Sequence, residues 1–351
     1  MIFLLLTRAH SYTVGQYLDT WGRDVRGILK PCYYDDLAFG GRLRAGTYIF
    51  ADLERLDDAQ LELAKTLWRR MSERPGEFRL MNDPCRILLR YELLKALHAA
   101  GINRFAAHRL NNGALPQRFP VFLRRQNEHD GALSPLLHTQ EELTRAAEQM
   151  ASNGLRGDDL LAVEYCDTAD ADGIFRKYSV FRAGEALFPR HLLHSRKWVL
   201  KKADLVDEHF LQEEREYLDA NPHAEQLRTI FDLAHIEWGR MDYALLDGQV
   251  QVWEINTNPM IVVAPHRIAP ARLATQAKFA KDLEGALAAI DHKSIAPPLP
   301  LRIDPALSRR LGITPRRRAA RHLARALTGL ARRLTDDPPA KTPRLPNANT
   351  H

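Results

Sequence analysis

Cysteine is scarce: Cys32, Cys85 and Cys166 are the only three in 351 residues, odd in number and far apart. That pattern excludes a disulfide framework and a cysteine-built zinc site, and it fits a reducing cytoplasm. Long apolar runs are missing too, and no stretch approaches the ~20 residues that span a bilayer. The opening run, Ile2–Leu6, is short, lacks a basic segment before it and is followed by Arg8. It reads as a buried first strand and not as a signal peptide. There is no internal repeat, no Ser/His/Asp arrangement and no cysteine context that points to a nucleophile. An excess of basic charge is missing from the body. The net charge of +6 comes from residues 301–351, which carry eleven Arg and one Lys against three Asp. The remaining 300 residues are slightly acidic, so nothing in them calls for nucleic acid.

What is present is the composition of a soluble globular protein, 45% hydrophobic and 27% charged, long enough for two or three domains. The first hundred residues alternate strand and helix. After the first strand comes a helix or loop, then a strand at "GTYIFADLERL" and an amphipathic helix over 57–73, with Leu61, Ala64, Leu67, Trp68 and Met71 at helical spacing. "EFRLMNDP" is a third apolar piece, broken at Pro84. "RILLRYELLKALHAAG" is a helix closed by Gly101. This alternation predicts a small parallel α/β domain over 1–80.

From 119 onward the texture changes. "FPVFLRRQNEHDG" is a strand entering a polar loop, and "TQEELTRAAEQMASNG" a helix whose Thr139 and Glu142 have capping-box spacing. "DLLAVEYCDT" is an apolar strand. "DGIFRKYSVFRAGEALFPRHLL" is a hairpin turning at 183–185, followed by helices that include "AEQLRTIFDLAHIEWG". "RMDYALLDGQVQVWEINTNP" is a second hairpin around Asp247-Gly248. A helical region to about 290, a Pro-rich linker (291–315) and a basic helix with a disordered tail (316–351) complete the chain.

The second hairpin carries the chemistry. Side chains two apart on a strand share a face, so Glu254 and Asn256 point together. With a strict two-residue turn, Leu246 pairs with Gln249, and Asp242 faces Trp253. With a three-residue turn or an equivalent bulge, Asp242 lies directly opposite Glu254. Two carboxylates at that distance repel or share a proton unless a cation lies between them. With Asn256, three oxygen donors then converge in a site for Mg²⁺ or Mn²⁺. The alternative is a surface hairpin whose acids face solvent.

"GRMDYALLDGQVQVWEINTNPM" resembles the terminal metal-binding hairpin of the ATP-grasp superfamily. The resemblance covers about 80–260 and is densest over 235–260. It implies a two-part fold of antiparallel sheets with helices over 81–290, α+β in character, behind the small α/β domain. It implies ATP as cofactor, with Mg²⁺ (or Mn²⁺) on Asp242, Glu254 and Asn256. In the family's order, Arg124 (or Arg125) stands where a phosphate-contacting Lys is usual, and Arg can make the same contact as a bidentate fork. The following loop has a single glycine, Gly131, where a Gly-rich lid is usual. Glu164, Tyr165 and Cys166 correspond to the hinge that reads the adenine edge. Arg176, Lys177 and Arg190 are the hairpin bases, and Ser179 occupies a place often held by a second Arg. Arg190 heads a basic cluster with His191, His194, Arg196 and Lys197, the last two reading as a solvated turn. Arg240, two before Asp242, shares its face and suits a transferred phosphate or a substrate carboxylate.

The activity this implies is ligation of a carboxylate, on a small molecule or peptide, to an amine through an acyl-phosphate. The alternatives are a small-molecule kinase of the same fold and a nucleotide-binding protein without turnover. The basic helix near 316–334 has Leu323, Leu327, Leu330 and Leu334 on one face. It suits an acidic partner, a membrane surface or packing on its own body.

Overall fold

The computed structural model describes residues 1–110, 115–128, 131–155, 157–314, 316–317 and 319–320. The tail helix expected at 316–334 lies largely outside the described residues. Residues 1–302 form one compact unit; the chain from 303 onward is a second. Among the described residues, no helix is long and apolar enough to cross a membrane.

The fold is mixed α/β. Five strands open it: β1 (Ile2–Leu6), β2 (Leu29–Tyr33), the short β3 (Gly41–Leu43), β4 (Gly46–Phe50) and β5 (Phe78–Met81). Four of them make a parallel sheet in the order β2-β1-β4-β5. The central strands are runs of Leu, Ile and aromatic residues because both faces are covered. Strand β2 was not legible as a strand: it reads "LKPCY", and Pro31 is tolerated because β2 is an edge. Helices α1 (Tyr12–Asp19), the one-turn α2 (Tyr34–Leu37) and α3 (Asp58–Ser72) are interleaved with these strands. Helix α3 begins with a full capping box, in which Asp57 and Gln60 bond each other's backbone.

Helix α4 (Arg90–Ala99) follows, and Gly101 closes it with φ +70°. The next sheet joins β6 (Ala107–Arg109), β7 (Val121–Arg125) and β8 (Leu160–Glu164) in the order β6-β8-β7. Its helix is α5 (Gln140–Ser152). Thr139 caps α5 by accepting from the Glu142 N–H, but the Glu142 carboxylate reaches back to the His138 N–H, one residue beyond the N-cap that the expected box would use.

The third sheet holds β9 (Phe175–Ala183), β10 (Ala186–Ser195), β11 (Trp238–Leu246) and β12 (Gln249–Asn256), all antiparallel, in the order β10-β9-β11-β12. Helices α6 (Glu208–Ala220) and α7 (Ala224–Leu233) bridge β10 and β11, and α8 (Leu273–Ile290) follows. One face of this sheet packs Val180, Met241, Tyr243, Val250 and Val252 against Leu227, Ile230 and Phe231 of α7. Strand alternation therefore sends Ser179, Arg240 and Asp242 to the other face. Within the stretch read as a linker, β13 (Leu299–Leu301) pairs with β3. In the second unit, α9 (Pro305–Arg310) is capped by Asp304.

One residue ties the parallel sheet to the antiparallel one. Asn82, buried and with φ +63°, donates to the carbonyls of Phe50 and Trp238 and accepts from the N–H groups of Glu237 and Trp238. The break at Asn82-Asp83-Pro84 is thus a joint between sheets.

Candidate active site

The β11–β12 hairpin combines the two readings its sequence allowed. Its turn is the strict two-residue Asp247-Gly248, with Leu246 opposite Gln249 and both turn residues at positive φ. Farther along, Tyr243 pairs with Val252 but Asp242 pairs with Glu254. The extra residue is Trp253, a bulge that re-aims the strand end. The bulge thus sets the two acids opposite each other. Register extends the row across the sheet: His191 pairs with Ser179, Ser179 with Asp242, and Asp242 with Glu254.

Both acids are held by cations. Asp242 is buried, and its Oδ1 accepts from Ser179 Oγ and Arg240 Nε, each at 2.9 Å. Its Oδ2 accepts from Arg240 Nη2 at 3.3 Å and Lys177 Nζ at 3.4 Å. Burial alone would raise this carboxyl; Arg240, Lys177 and Ser179 outweigh burial and the neighbouring Glu254 and hold it below the usual carboxylate range. Glu254 Oε2 accepts from Arg124 Nη2 at 2.9 Å and from Arg90 Nη2. Burial, reinforced by Arg90, pulls the Arg124 guanidinium down to about 10. Asn256 Oδ1 accepts from the Asn258 N–H at 2.9 Å and so shapes the turn out of β12. Among the described residues, no group of three or more His, Cys, Asp or Glu is placed to hold a metal. The expected set has two acids and an amide.

Arg90 was not singled out from sequence, although a signal existed. Positions 90, 93, 94 and 97 form the buried face of α4, and an Arg on a face otherwise made of Leu calls for a buried partner. Its Nη1 donates to the carbonyls of Arg125, Gln126 and Glu128.

A cleft of about 170 Å³ opens beside this row. Arg124, Lys177, Asp242 and Glu254 line its polar end, and Phe122, Tyr165 and Trp198 its aromatic end. The Trp198 ring lies 5.0 Å from Phe122 and 5.8 Å from Tyr165. Such a cleft, apolar at one end and cationic at the other, fits a flat base carrying phosphates.

The other expected residues are distributed unevenly. Tyr165 and Cys166 line the cleft; burial pushes the phenol up to about 12 and the thiol up to about 11, so both are neutral. Glu164 is not among the cleft-lining residues. Its carboxylate accepts from the Ala106 N–H at 3.1 Å and pairs with Arg118 at 3.2 Å, contacts that with His108 outweigh burial and lower it. Arg176 lines the cleft but is bound to Asp170 and Glu213. Arg190, next to the bulge in β10, is buried outside the cleft lining. It donates to the Ile261 carbonyl and Gln276 and lies over the Phe279 ring, and burial takes it down to about 9. His194 pairs with Glu213, while Arg196 and Lys197 are exposed.

No protein-family model and no curated protein sequence matches the chain. Solved structures do overlap it. D-alanine–D-alanine ligase from Bacillus anthracis complexed with ATP aligns with 82% of this chain and 96% of its own, at a TM-score of 0.48 and 11% identity. D-cycloserine synthetase DcsG aligns over 82% of this chain and all of its own, at 0.46 and 17%. A RimK domain protein ATP-grasp from Sphaerobacter thermophilus aligns over 84% of this chain and all of its own, at 0.46 and 12%.

Proposed function

We propose that the protein is an ATP-grasp ligase that joins a carboxylate to an amine at the expense of Mg-ATP. The observation that carries this reading is the site itself: two opposed carboxylates under four cations, at the polar end of an aromatic cleft. The base would lie among Phe122, Tyr165 and Trp198. Arg124 and Lys177 are the side chains in reach of the phosphates, with Arg124 in the role that the family gives to a Lys.

Asp242, Glu254 and Asn256 are the residues that would hold the metal, which, when bound, neutralises charge on the phosphates. The donor set is of hard oxygens and fits Mg²⁺. The substrate carboxylate oxygen attacks the terminal phosphorus and ADP leaves. The amine then attacks the acyl carbon, the C–O bond to phosphate breaks, and the amine loses a proton. Positioning and charge neutralisation are all the enzyme has to supply, which agrees with a cleft whose Cys166 thiol is held neutral by burial. Arg240, on the Asp242 carboxylate, and the more deeply buried Arg190 contribute positive charge on this face of the sheet.

Thermal unfolding tests the reading. Mg-ATP at a hundred times its Kd is expected to add about 2.7 kcal/mol. The increment should vanish in the double variant Glu254→Gln, Asn256→Ala, with circular dichroism checking that it folds. ADP and phosphate released only when both a carboxylate and an amine are supplied would establish a ligase. Wild type without a nucleotide-dependent rise overturns the reading.

A further inference from the structure

The acid pair carries more positive charge than it needs. Arg90 and Arg124 bind Glu254, and Arg240 and Lys177 bind Asp242, so among the described residues four cations serve two carboxylates. Both oxygens of Asp242, Glu254 Oε2 and Asn256 Oδ1 already accept N–H or O–H donors. A divalent cation needs oxygens at about 2.0–2.6 Å and would have to displace those donors while entering a region of net positive charge. The cations differ in how firmly they are held. Arg90 is anchored from behind by three backbone carbonyls. Among the described residues, Arg124, Arg240 and Lys177 make their hydrogen bonds to the two acids. A chain of phosphates competes for those three on equal chemical terms, since guanidinium groups bind phosphate and carboxylate in the same bidentate way.

We propose that Asp242 and Glu254 form a guarded metal site, closed to a divalent cation alone and opened by a polyphosphate that draws Arg124, Arg240 and Lys177 onto itself. The inference rests on reading the cleft as a site for a phosphorylated ligand. Binding is therefore ordered: the anion arrives first or together with the metal. Arg90 is a positioning residue that stays on Glu254 and keeps it aimed across the row.

The test uses Mn²⁺ and inorganic tripolyphosphate on the full chain, read by the free Mn²⁺ resonance and by thermal unfolding. For wild type, millimolar Mn²⁺ alone leaves both readings unchanged, tripolyphosphate alone raises the melting temperature, and the two together take up Mn²⁺. Lys177→Met removes one guard without touching the bonds of Arg90. It is expected to bind bare Mn²⁺ about tenfold tighter than wild type, since a full charge has left the neighbourhood of the ion. Arg124→Met serves the same purpose if that variant does not fold. Mn²⁺ that binds wild type as tightly alone as with tripolyphosphate overturns the guard, and so does tripolyphosphate that binds nowhere. Uptake of Mn²⁺ with tripolyphosphate but never with ATP supports the guard while overturning the nucleotide reading. A Mg-ATP response without any tripolyphosphate response does the reverse.

Discussion

Glu213 stands between two partners, accepting from Arg176 Nε at 2.6 Å and from His194 Nε2 at 3.1 Å. Burial would raise its carboxyl, but the imidazole and the guanidinium outweigh burial and hold it at about 2. An unfolded Glu titrates near ~4.3. The pairing therefore stabilises the fold fully above that pH, and the contribution is lost as the pH falls toward about 2. Glu213→Gln should lower stability near neutral pH by about 1 kcal/mol, discounted for partial exposure. Circular-dichroism melts across pH should find a constant gap to wild type above about pH 5, closing toward about pH 2. A gap that persists in acid would assign the loss to packing. The same contacts explain why Arg176 could not be judged from sequence. A basic residue on a hairpin before the acid-bearing hairpin reads as a phosphate contact, but its acids lie 6 and 37 residues away, on a loop and on α6. Lys177, its neighbour, is the one that reaches Asp242.

At the scale of elements, the decisive one is β12, an edge strand. An open edge would leave its outer N–H and C=O groups to water or to another chain. Here Asn103, just past α4, donates to the Val252 carbonyl at 3.0 Å and accepts from the Val252 N–H at 2.9 Å. Its amide acts as one more residue of strand, next to the bulge at Trp253, whose ring stacks on Phe105. Asn103→Ala would leave two buried backbone groups unpaired, at a cost of about 2 kcal/mol or more. Because Val252 directly precedes the bulge, Mg-ATP affinity should fall with stability. Denaturant unfolding and nucleotide titration on the same variant check both. Lost stability with unchanged affinity would mean that the bulge is held by the sheet alone. Strand alternation and turn length are local rules, so the two possible registers were legible, one of which sets the acids opposite each other. The bulge that chose between the two registers was not, since Phe105 and Asn103 come from about 150 residues upstream. Strand β2 was hidden for a similar reason: only its place at the edge of the parallel sheet makes room for Pro31.

For the molecule as a whole, the question is what makes residues 1–302 one unit out of a parallel sheet and an antiparallel one. Two devices do it. The first is a shared apolar cluster in which Ile49 and Met81 of the parallel sheet pack in one core with Phe181 and Trp238 of the other. The second is Asn82, whose side chain joins Phe50 on β4 to Glu237 and Trp238 at the start of β11. Its positive φ suits Asn and penalises Ala. Asn82→Ala should therefore lose about 3 kcal/mol or more, combining backbone strain with unpaired buried groups. Asn82→Gly removes the same bonds but accepts the backbone angle, so it should recover about 1 kcal/mol of that loss. If the amide joint couples the sheets, wild type unfolds in one cooperative step, whereas Asn82→Ala unfolds in two. Intrinsic tryptophan emission follows both, since Trp68 lies on α3 beside the parallel sheet and Trp238 on β11. A single transition in both proteins, with only its midpoint lowered, would mean that the shared apolar cluster and the remaining contacts couple the two sheets without Asn82, which then serves only to close its own turn.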